Sequence, residues 1–431
     1  MSIKIQPPIS IYIILCFILH GSLLAQDINN ARRHIEALSS PEMHGRGYVF
    51  KGDSIAAAYI KKEMQSIGLS AFDQGFYQFF NISVNTLPGA LSLSINNNNL
   101  MPGFDFLVET PSLGHTGTFR ARTISHNTSD RRIRRLERRG LENKVLVIDN
   151  TSERKKRNKL FNKLKFYNNF GAEAVIFLTD EEKPLMWRTY TGHLRLDFPT
   201  LVLHQESFKR RVRRVTMDIE NVFYPAYQTQ NVIGYVEGYA VPDSFIVFTA
   251  HYDHLGRMGA ETYFPGAHDN ASGVALMLDL AKYYSRNPPP YSVAFIATAA
   301  EEAGLLGSRY YTNNPLFPLS DIMFLINLDM VSTGEDGMMV VNGEIFVEDF
   351  LRLKKINNTH GFMREIRSRG EAANSDHYFF YINNVKSFFF YTLGGQTHYH
   401  NIYDKPETLS LYAYDNLFQL IVSFVHDTFK K

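Results

Sequence analysis

The sequence predicts an α/β fold in which a mostly parallel, doubly wound sheet carries helices on both faces, together with a small inserted α/β domain. The order of strand-like and helix-like segments along the chain supports this prediction. Short apolar, β-prone segments such as Phe245 to Ala250 alternate along the chain with segments of helical apolar spacing, such as Ala271 to Arg286. Strands and helices that alternate in this way are typical of parallel sheets. No internal repeat or low-complexity segment interrupts the pattern.

Length and composition narrow the possible classes of protein. The chain has 431 residues, of which 45% are hydrophobic and 20% charged, so it has enough apolar material for a large packed core. Its formal net charge is only +2, which argues against nucleic acid as the main partner.

The first 25 residues differ in character from the rest. Lys4 precedes an apolar run from Ile9 to Leu19, and small residues follow up to Ala25, which is the layout of a secretory signal peptide. The run is short for a membrane span, although a retained N-terminal anchor is the alternative. We therefore expect an exported protein of the periplasm, cell envelope or extracellular space, with no membrane span after cleavage. The only cysteine, Cys16, lies in this segment, so no disulfide is expected in the mature chain.

The remaining chain is predicted to divide into three parts. Residues 26–100 and 228–431 form the two parts of a catalytic domain, and residues 101–227 form the insertion. Basic runs mark the insertion, at Arg131 to Arg139, Arg154 to Arg157 and Arg210 to Arg214. These runs could bind anions, but solvated helix faces explain the first two more simply.

The N-terminal part of the catalytic domain is predicted to contain two helices. Ile28 to Leu38 and Ser54 to Gly68 have helical apolar spacing, and Gly68 is a typical helix stop. The intervening segment, His44 to Gly47, has the sequence HGRG, for which we expect a solvated turn.

Potential metal-binding side chains follow successive predicted strands. His251 follows one strand and Asp269 precedes the next helix, while Glu302, Asp329 and His400 follow three further strands. Because parallel strands end at one edge of a sheet, we expect these groups to meet there. Without a cation, so many acids and imidazoles in one cleft would repel one another or remain unsatisfied. Nitrogen and oxygen donors without sulfur suit zinc, with manganese or cobalt as alternatives.

The number of donors suggests two ions. If Asp269 bridges them, His251, Asp269 and Asp329 would hold one ion, and Asp269, Glu302 and His400 would hold the other. Two ions that share a water lower its pKa and polarise a carbonyl group.

Two further acids adjoin these candidate ligands. Glu301 precedes Glu302 and could act as the general base that takes a proton from the water. Asp253 stands two residues after His251 and could orient its imidazole.

Five motifs, taken in their order, resemble metallopeptidase family 28, the two-zinc aminopeptidases. They are HYDHLG, GAHDNASG, AAEEAGLLGS, INLDM and YHNIYD. The resemblance covers roughly Ile28 to Ile95 and Gln230 to the C-terminus. It implies that the five candidate ligands bind two zinc ions with Asp269 as the bridge, that Glu301 is the general base, and that Asp253 is a supporting acid.

The same resemblance extends to one tyrosine and to the insertion. Tyr399 corresponds to a position that helps to stabilise the oxyanion in some family members. Residues 101–227 resemble the protease-associated domain that many members carry at the border of the cleft.

Two histidines depart from the family pattern. His268 stands where the family often has an acid or asparagine, and we expect it to be solvated or to support a ligand, with metal binding as the alternative. His398 could replace His400 as the last ligand, but the spacing from His400 to Asp404 fits the family better.

The leading functional expectation is a secreted zinc aminopeptidase that acts on peptides. A glutaminyl-peptide cyclotransferase with one zinc ion, a carboxypeptidase-like enzyme and a non-catalytic relative of the fold are the alternatives. The INLDM segment favours a peptidase over the cyclotransferase, and the complete ligand set favours an enzyme over a binding module.

Overall fold

The computed structural model of the protein describes residues 28–151, 158–167, 169–181, 184–188, 195–208 and 211–428. The predicted signal peptide, residues 1–25, lies outside these ranges. Within them, no helix is both long enough and apolar enough to cross a bilayer.

Helices and strands alternate over most of the described chain. The α-helices are α1 (Ile28–Leu38), α2 (Gly52–Ile67), α3 (Asp130–Arg139), α4 (Asn158–Phe166), α5 (Ser272–Arg286), α6 (Leu306–Asn313), α7 (Val347–His360), α8 (His377–Ile382) and α9 (Tyr414–Thr428). The strands are β1 (Tyr77–Thr86), β2 (Leu91–Ile95), β3 (Asn98–Leu100), β4 (Phe106–Val108), β5 (His115–Ser125), β6 (Lys144–Asp149), β7 (Ala174–Thr179), β8 (Thr200–His204), β9 (Arg214–Ile219), β10 (Val222–Val236), β11 (Val241–His251), β12 (Arg257–Met258), β13 (Thr262–Tyr263), β14 (Tyr291–Thr298), β15 (Ile322–Leu328), β16 (Gly337–Val341), β17 (Ile366–Arg369) and β18 (Ser387–Leu393).

The larger domain is built on an eight-stranded mixed sheet. Its strand order is β1-β10-β14-β11-β15-β18-β16-β17. The four central strands β14, β11, β15 and β18 run parallel, while β1, β10 and β16 introduce antiparallel pairs toward the edges. The carboxyl ends of the four parallel strands therefore meet at one edge, where ligands bind in open α/β sheets.

Both faces of this sheet are covered by helices, as predicted. Alternate residues of β11 point to opposite sides: Ile246 and Phe248 join the core shared with α1, α2, α5, α7 and α9. Phe245 and Val247 join a smaller core with Tyr311 of α6 and Phe380 of α8. The apolar run of β11 thus reflects burial on both faces.

A second eight-stranded sheet lies in the part of the chain that the sequence predicts to be an insertion. Its order is β3-β2-β9-β5-β6-β7-β8-β4, so it begins at Leu91 and ends at Ile219. This sheet therefore starts before the predicted boundary at residue 101 and ends before the one at residue 227. The prediction placed β2 in the catalytic domain because β2 follows β1 closely, yet β2 pairs with β9, and β10 already belongs to the larger sheet.

Candidate metal centre

The five predicted metal-binding side chains converge at the carboxyl edge of the larger sheet. His251 is the last residue of β11 and Asp329 directly follows β15. Asp269 lies in a short turn before α5, Glu302 lies just beyond β14, and His400 lies in the loop after β18. Four of the five residues are buried, with exposed fractions from 1% for His251 to 8% for His400, and the Glu302 side chain is 7% exposed.

The first subsite consists of His251, Asp269 and Asp329. Nε2 of His251 lies 3.3 Å from Oδ1 of Asp269 and 3.4 Å from Oδ1 of Asp329. The second carboxylate oxygen of Asp329 accepts a hydrogen bond of 2.8 Å from the Ser375 hydroxyl. One oxygen of Asp329 is thus held by Ser375, and the other faces His251.

The second subsite consists of Asp269, Glu302 and His400. Nε2 of His400 lies 3.0 Å from Oδ2 of Asp269 and 3.3 Å from Oε2 of Glu302. Nδ1 of His254 lies 2.8 Å from the other oxygen of Glu302, so the structure adds an imidazole that the sequence prediction left out. Asp269 contributes one oxygen to each subsite, which is the arrangement required of a bridging carboxylate.

The spacing of these donors fits zinc. Zinc bonds to nitrogen and oxygen are about 2.0–2.1 Å long in tetrahedral sites, which places neighbouring donors about 3.3 Å apart. The four distances within the two subsites range from 3.0 Å to 3.4 Å. Oδ1 of Asp329 is buried with no hydrogen-bond partner among the described residues, as expected for an oxygen whose partner would be a metal ion.

Glu301 lies beside the first subsite. Donor atoms of His251, Glu301 and Asp329 all lie within 4.8 Å of one another. Burial raises the pKa of Glu301 well above its ordinary value. For Glu302, burial would also raise the pKa, but the charge of His400 lowers it to about 2. The pKa of Glu301 is thus raised and that of Glu302 lowered. Opposite pKa shifts of two adjacent acids are expected where one accepts a proton and the other is an ionised ligand.

The charges of the acids and imidazoles offset one another. Burial alone would raise the pKa of Asp269, but hydrogen bonds from His251 and His400 hold it well below its ordinary value. Burial would lower the pKa of His400, but the charges of Glu302 and Asp269 raise it to about 11. Asp269 is therefore a permanent carboxylate, suited to sharing between two cations.

Tyr399 lies at the mouth of the site. Its ring stacks on the His400 imidazole, with centroids 3.8 Å apart, and 40% of its surface remains exposed. Partial burial and the nearby charges of Asp269 and Glu302 raise its pKa above the ordinary range. The hydroxyl therefore stays protonated and keeps its hydrogen to donate.

Asp253 supports the site differently from the prediction. Its carboxylate oxygens accept hydrogen bonds from the backbone N–H groups of Glu301, at 3.0 Å, and Glu302, at 3.3 Å. Its side chain stays 3.9 Å from Nδ1 of His251, which instead lies 3.2 Å from the main-chain oxygen of Asp253. The carboxylate thus positions the two glutamates, and the carbonyl orients the histidine.

A buried arginine lies beneath the site, where the sequence predicted a solvated turn. Arg46 is 0% exposed, and its guanidinium donates to five main-chain oxygens, those of Leu38, Tyr252, Pro265, Gly266 and Asp269. These bonds use all five of its N–H donors. The prediction was wrong because glycines and polar residues typify exposed turns, whereas here the flanking glycines let the turn approach the chain around residue 256. Arg46 thereby fixes the backbone next to both His251 and Asp269.

Residues around Asp269 fix the turn that carries it. The Asp404 carboxylate accepts hydrogen bonds from the backbone N–H groups of His268, at 2.8 Å, and Asp269, at 3.1 Å. The Asn270 amide donates to the Leu328 carbonyl at 2.9 Å, which ties the turn to the end of β15. Nδ1 of His268 lies 2.7 Å from the hydroxyl of Ser332, so His268 is buried and partnered rather than solvated.

Comparison with known proteins agrees with this architecture. Residues 231–425 match the sequence model of peptidase family M28. We call this matched part of the chain the M28 domain. It contains all the residues of both subsites.

Curated relatives align with part of the chain. Aminopeptidase YwaD from Bacillus subtilis is 30% identical over 167 residues, which are 38% of this chain and 35% of the relative. A probable zinc metalloprotease from Pyrenophora teres f. teres is 35% identical over 124 residues, which are 28% of this chain and 26% of the relative. The alignments thus span about a third or less of the length of these relatives.

Solved structures match nearly the whole chain. A zinc aminopeptidase from Bacillus subtilis, BSAP, has a TM-score of 0.69 and 20% identity, and the match covers 94% of this chain and 96% of that chain. This similarity confirms the predicted α/β fold, and the M28 domain and the insertion are both part of the matched length.

Proposed function

We propose that the protein is a zinc-dependent aminopeptidase that removes residues from the N-terminus of peptides. The observation that carries the proposal is the pair of subsites that share Asp269, with donor spacings suited to zinc. The aminopeptidase name of the Bacillus relative supports the same reaction class. The two subsites favour two ions per chain, held by the five predicted ligands.

Different residues of the cleft can perform different steps of amide hydrolysis. Zinc ions, when bound, would supply Lewis-acid activation of water and of the scissile carbonyl. Glu301 takes the proton of the attacking water and delivers it to the departing amine, since it lies beside both the ligands and the cleft. Tyr399 donates its hydroxyl proton in a hydrogen bond to the oxygen that becomes negative during attack.

The location of the enzyme belongs to the same proposal. The signal-peptide pattern in the first 25 residues supports export to the periplasm, the cell envelope or the extracellular space. Peptides present in such a compartment would be its substrates. The insertion would be a protease-associated domain at the border of the cleft.

A single substitution tests the assignment of Glu301. In Glu301→Gln we expect hydrolysis of aminoacyl amides to fall about 10²–10⁴-fold, the usual contribution of a general base, while the chain still binds two zinc ions. Glu36→Gln is the matched control, because Glu36 is exposed on α1 and should leave both quantities unchanged.

Other outcomes of this experiment reassign the function. Full activity in Glu301→Gln would contradict the role of Glu301. One zinc ion per chain with cyclisation of a glutaminyl peptide would assign the cyclotransferase reaction. Two zinc ions with no hydrolysis of any free-amine substrate would overturn the aminopeptidase proposal.

A further inference from the structure

We propose that the insertion orients the metal ligand His400 through the main chain of Trp187 and thereby sets the zinc affinity of the second subsite. This inference rests on the proposed two-zinc function. It assigns to the insertion a direct structural part in metal binding, and it makes Trp187, the only tryptophan of the chain, a positioning residue.

Trp187 and His400 are joined by two contacts. The backbone N–H of Trp187 donates to the main-chain oxygen of His400 at 2.8 Å. The main-chain oxygen of Trp187 lies 3.1 Å from Nδ1 of His400. Because a carbonyl oxygen only accepts, Nδ1 must carry the proton. Nε2 is thereby left to face Asp269 and Glu302, as a metal-binding imidazole requires.

His400 needs this support because its own loop holds it in an unfavourable conformation. Its φ angle is +53°, in the left-handed region that residues with a side chain rarely adopt. The residue is placed beyond the end of β18, so no strand hydrogen bond fixes it. Surrounding contacts must therefore determine both the backbone conformation and the direction of the ring.

Trp187 is itself held firmly. Its side chain is 4% exposed, its indole N–H donates to the Val108 carbonyl at the end of β4 at 2.8 Å, and its ring stacks on Phe264 with centroids 4.8 Å apart. Val108 belongs to the sheet of the insertion, whereas Phe264 belongs to the segment that leads to Asp269. The indole therefore links the insertion to the M28 domain at the metal site.

The surrounding apolar core confirms that the two parts share this junction. Leu255, Met258 and Phe264 of the M28 domain pack in one buried cluster with residues of the insertion's sheet, such as Val108 and Leu203. Separating the insertion from the M28 domain would expose this cluster and withdraw the carbonyl from His400. The second subsite thus depends on the docked position of the insertion.

The test compares zinc binding by variants of the full chain. Zinc is removed, and the number and affinity of ions that return are measured in competition with a chelator. In Trp187→Gly, which frees the backbone at this position, we expect one ion to bind as in the wild type and the other about 10–100-fold more weakly, the usual effect of losing a partner of a ligand. Trp187→Phe, which keeps an aromatic ring against Phe264, should retain most of the wild-type affinity for this ion.

Two further variants make the result interpretable. Met186→Ala changes the exposed neighbour of Trp187 and should bind both ions as the wild type does. If Trp187→Gly does not fold, Phe264→Leu removes only the ring beneath the indole and should weaken the same ion to a smaller extent.

The outcomes separate this inference from the proposed function. Two ions of wild-type affinity in a folded Trp187→Gly or Phe264→Leu chain would overturn the inference and leave the two-zinc proposal intact. Equal weakening of both ions would also overturn it, since that result indicates a general structural role. A wild-type chain that binds fewer than two ions would refute the proposed function instead.

Discussion

The two subsites share Asp269 but are built in different ways. In the first, His251 and Asp329 stand at the ends of central strands of the larger sheet, and Nδ1 of His251 lies 3.2 Å from the carbonyl of Asp253, two residues further along the chain. In the second, His400 lies in a loop, and its Nδ1 lies 3.1 Å from the carbonyl of Trp187 in the insertion. The first is local to one sheet edge, and the second joins two domains.

This difference predicts unequal zinc affinities. The backbone of a ligand at a strand end is fixed by the hydrogen bonds of the sheet. The side chain therefore needs little further ordering when the ion binds. A ligand in a loop depends on contacts made at a distance in the sequence. We therefore expect the first subsite to fill first on reconstitution and the second to lose its ion first on chelation.

The largest expected effect comes from the residue that both subsites share. Asp269→Asn removes the charge that faces both ions, so zinc content should fall for both and hydrolysis should reach background. Asp329→Asn and Glu302→Gln are the comparison variants, each of which should weaken one ion selectively. Zinc counted per chain by elemental analysis distinguishes these cases, and retention of two ions in Asp269→Asn would exclude a bridging role.

The next largest effect concerns Arg46, which supports the backbone of the first subsite and of the bridge. Lysine has three donors where arginine has five, so Arg46→Lys should leave buried carbonyls without partners, at about 1–3 kcal/mol each. We expect a lower unfolding free energy and weaker binding of both ions, in contrast to the selective effect at Trp187. Denaturant unfolding with zinc titration measures both. Unchanged stability would contradict the buried network.

The smallest expected effect is a pH dependence of stability that comes from a histidine outside both subsites. Burial, followed by the charge of Arg33, lowers the pKa of His34 to about 4. The unfolded chain takes up this proton below about pH 6.5, whereas the folded chain stays neutral, so stability should fall as the pH decreases from about 6.5 to 4.

His34→Gln should flatten that dependence without altering zinc affinity. Melting temperature as a function of pH, measured with chelator present in all samples, gives the comparison and removes any contribution from metal loss. The same pH dependence in His34→Gln and in the wild type would contradict a neutral His34 in the folded state.

The sequence alone was enough to predict the positions of the site residues that directly follow strands. His251 and Asp329 adjoin apolar, β-prone runs, and the parallel sheet then brings them together by topology alone. Glu302 and Asp269 could be placed by the same reasoning, which also predicted the doubly wound fold. His400 was placed in the loop after a further predicted strand, and the family resemblance of its motif favoured it over His398.

Contacts between distant segments could not be predicted in this way. The segment HGRG has the composition of an exposed turn, and only the folded chain shows that Arg46 meets five carbonyls. The sequence around Trp187 has no pattern that points to His400. The pairing of β2 with β9 could not be predicted either, because β2 has strand character whichever sheet it joins, and its partner β9 lies far along the chain.

The most direct test of the account is stepwise return of zinc to the metal-free wild-type chain, with bound zinc and hydrolysis of aminoacyl amides measured at each step. We predict two ions per chain that bind with different affinities, and the weaker of the two should bind still more weakly in Trp187→Gly. Binding of a single ion, or of two ions without any amide hydrolysis, would contradict it.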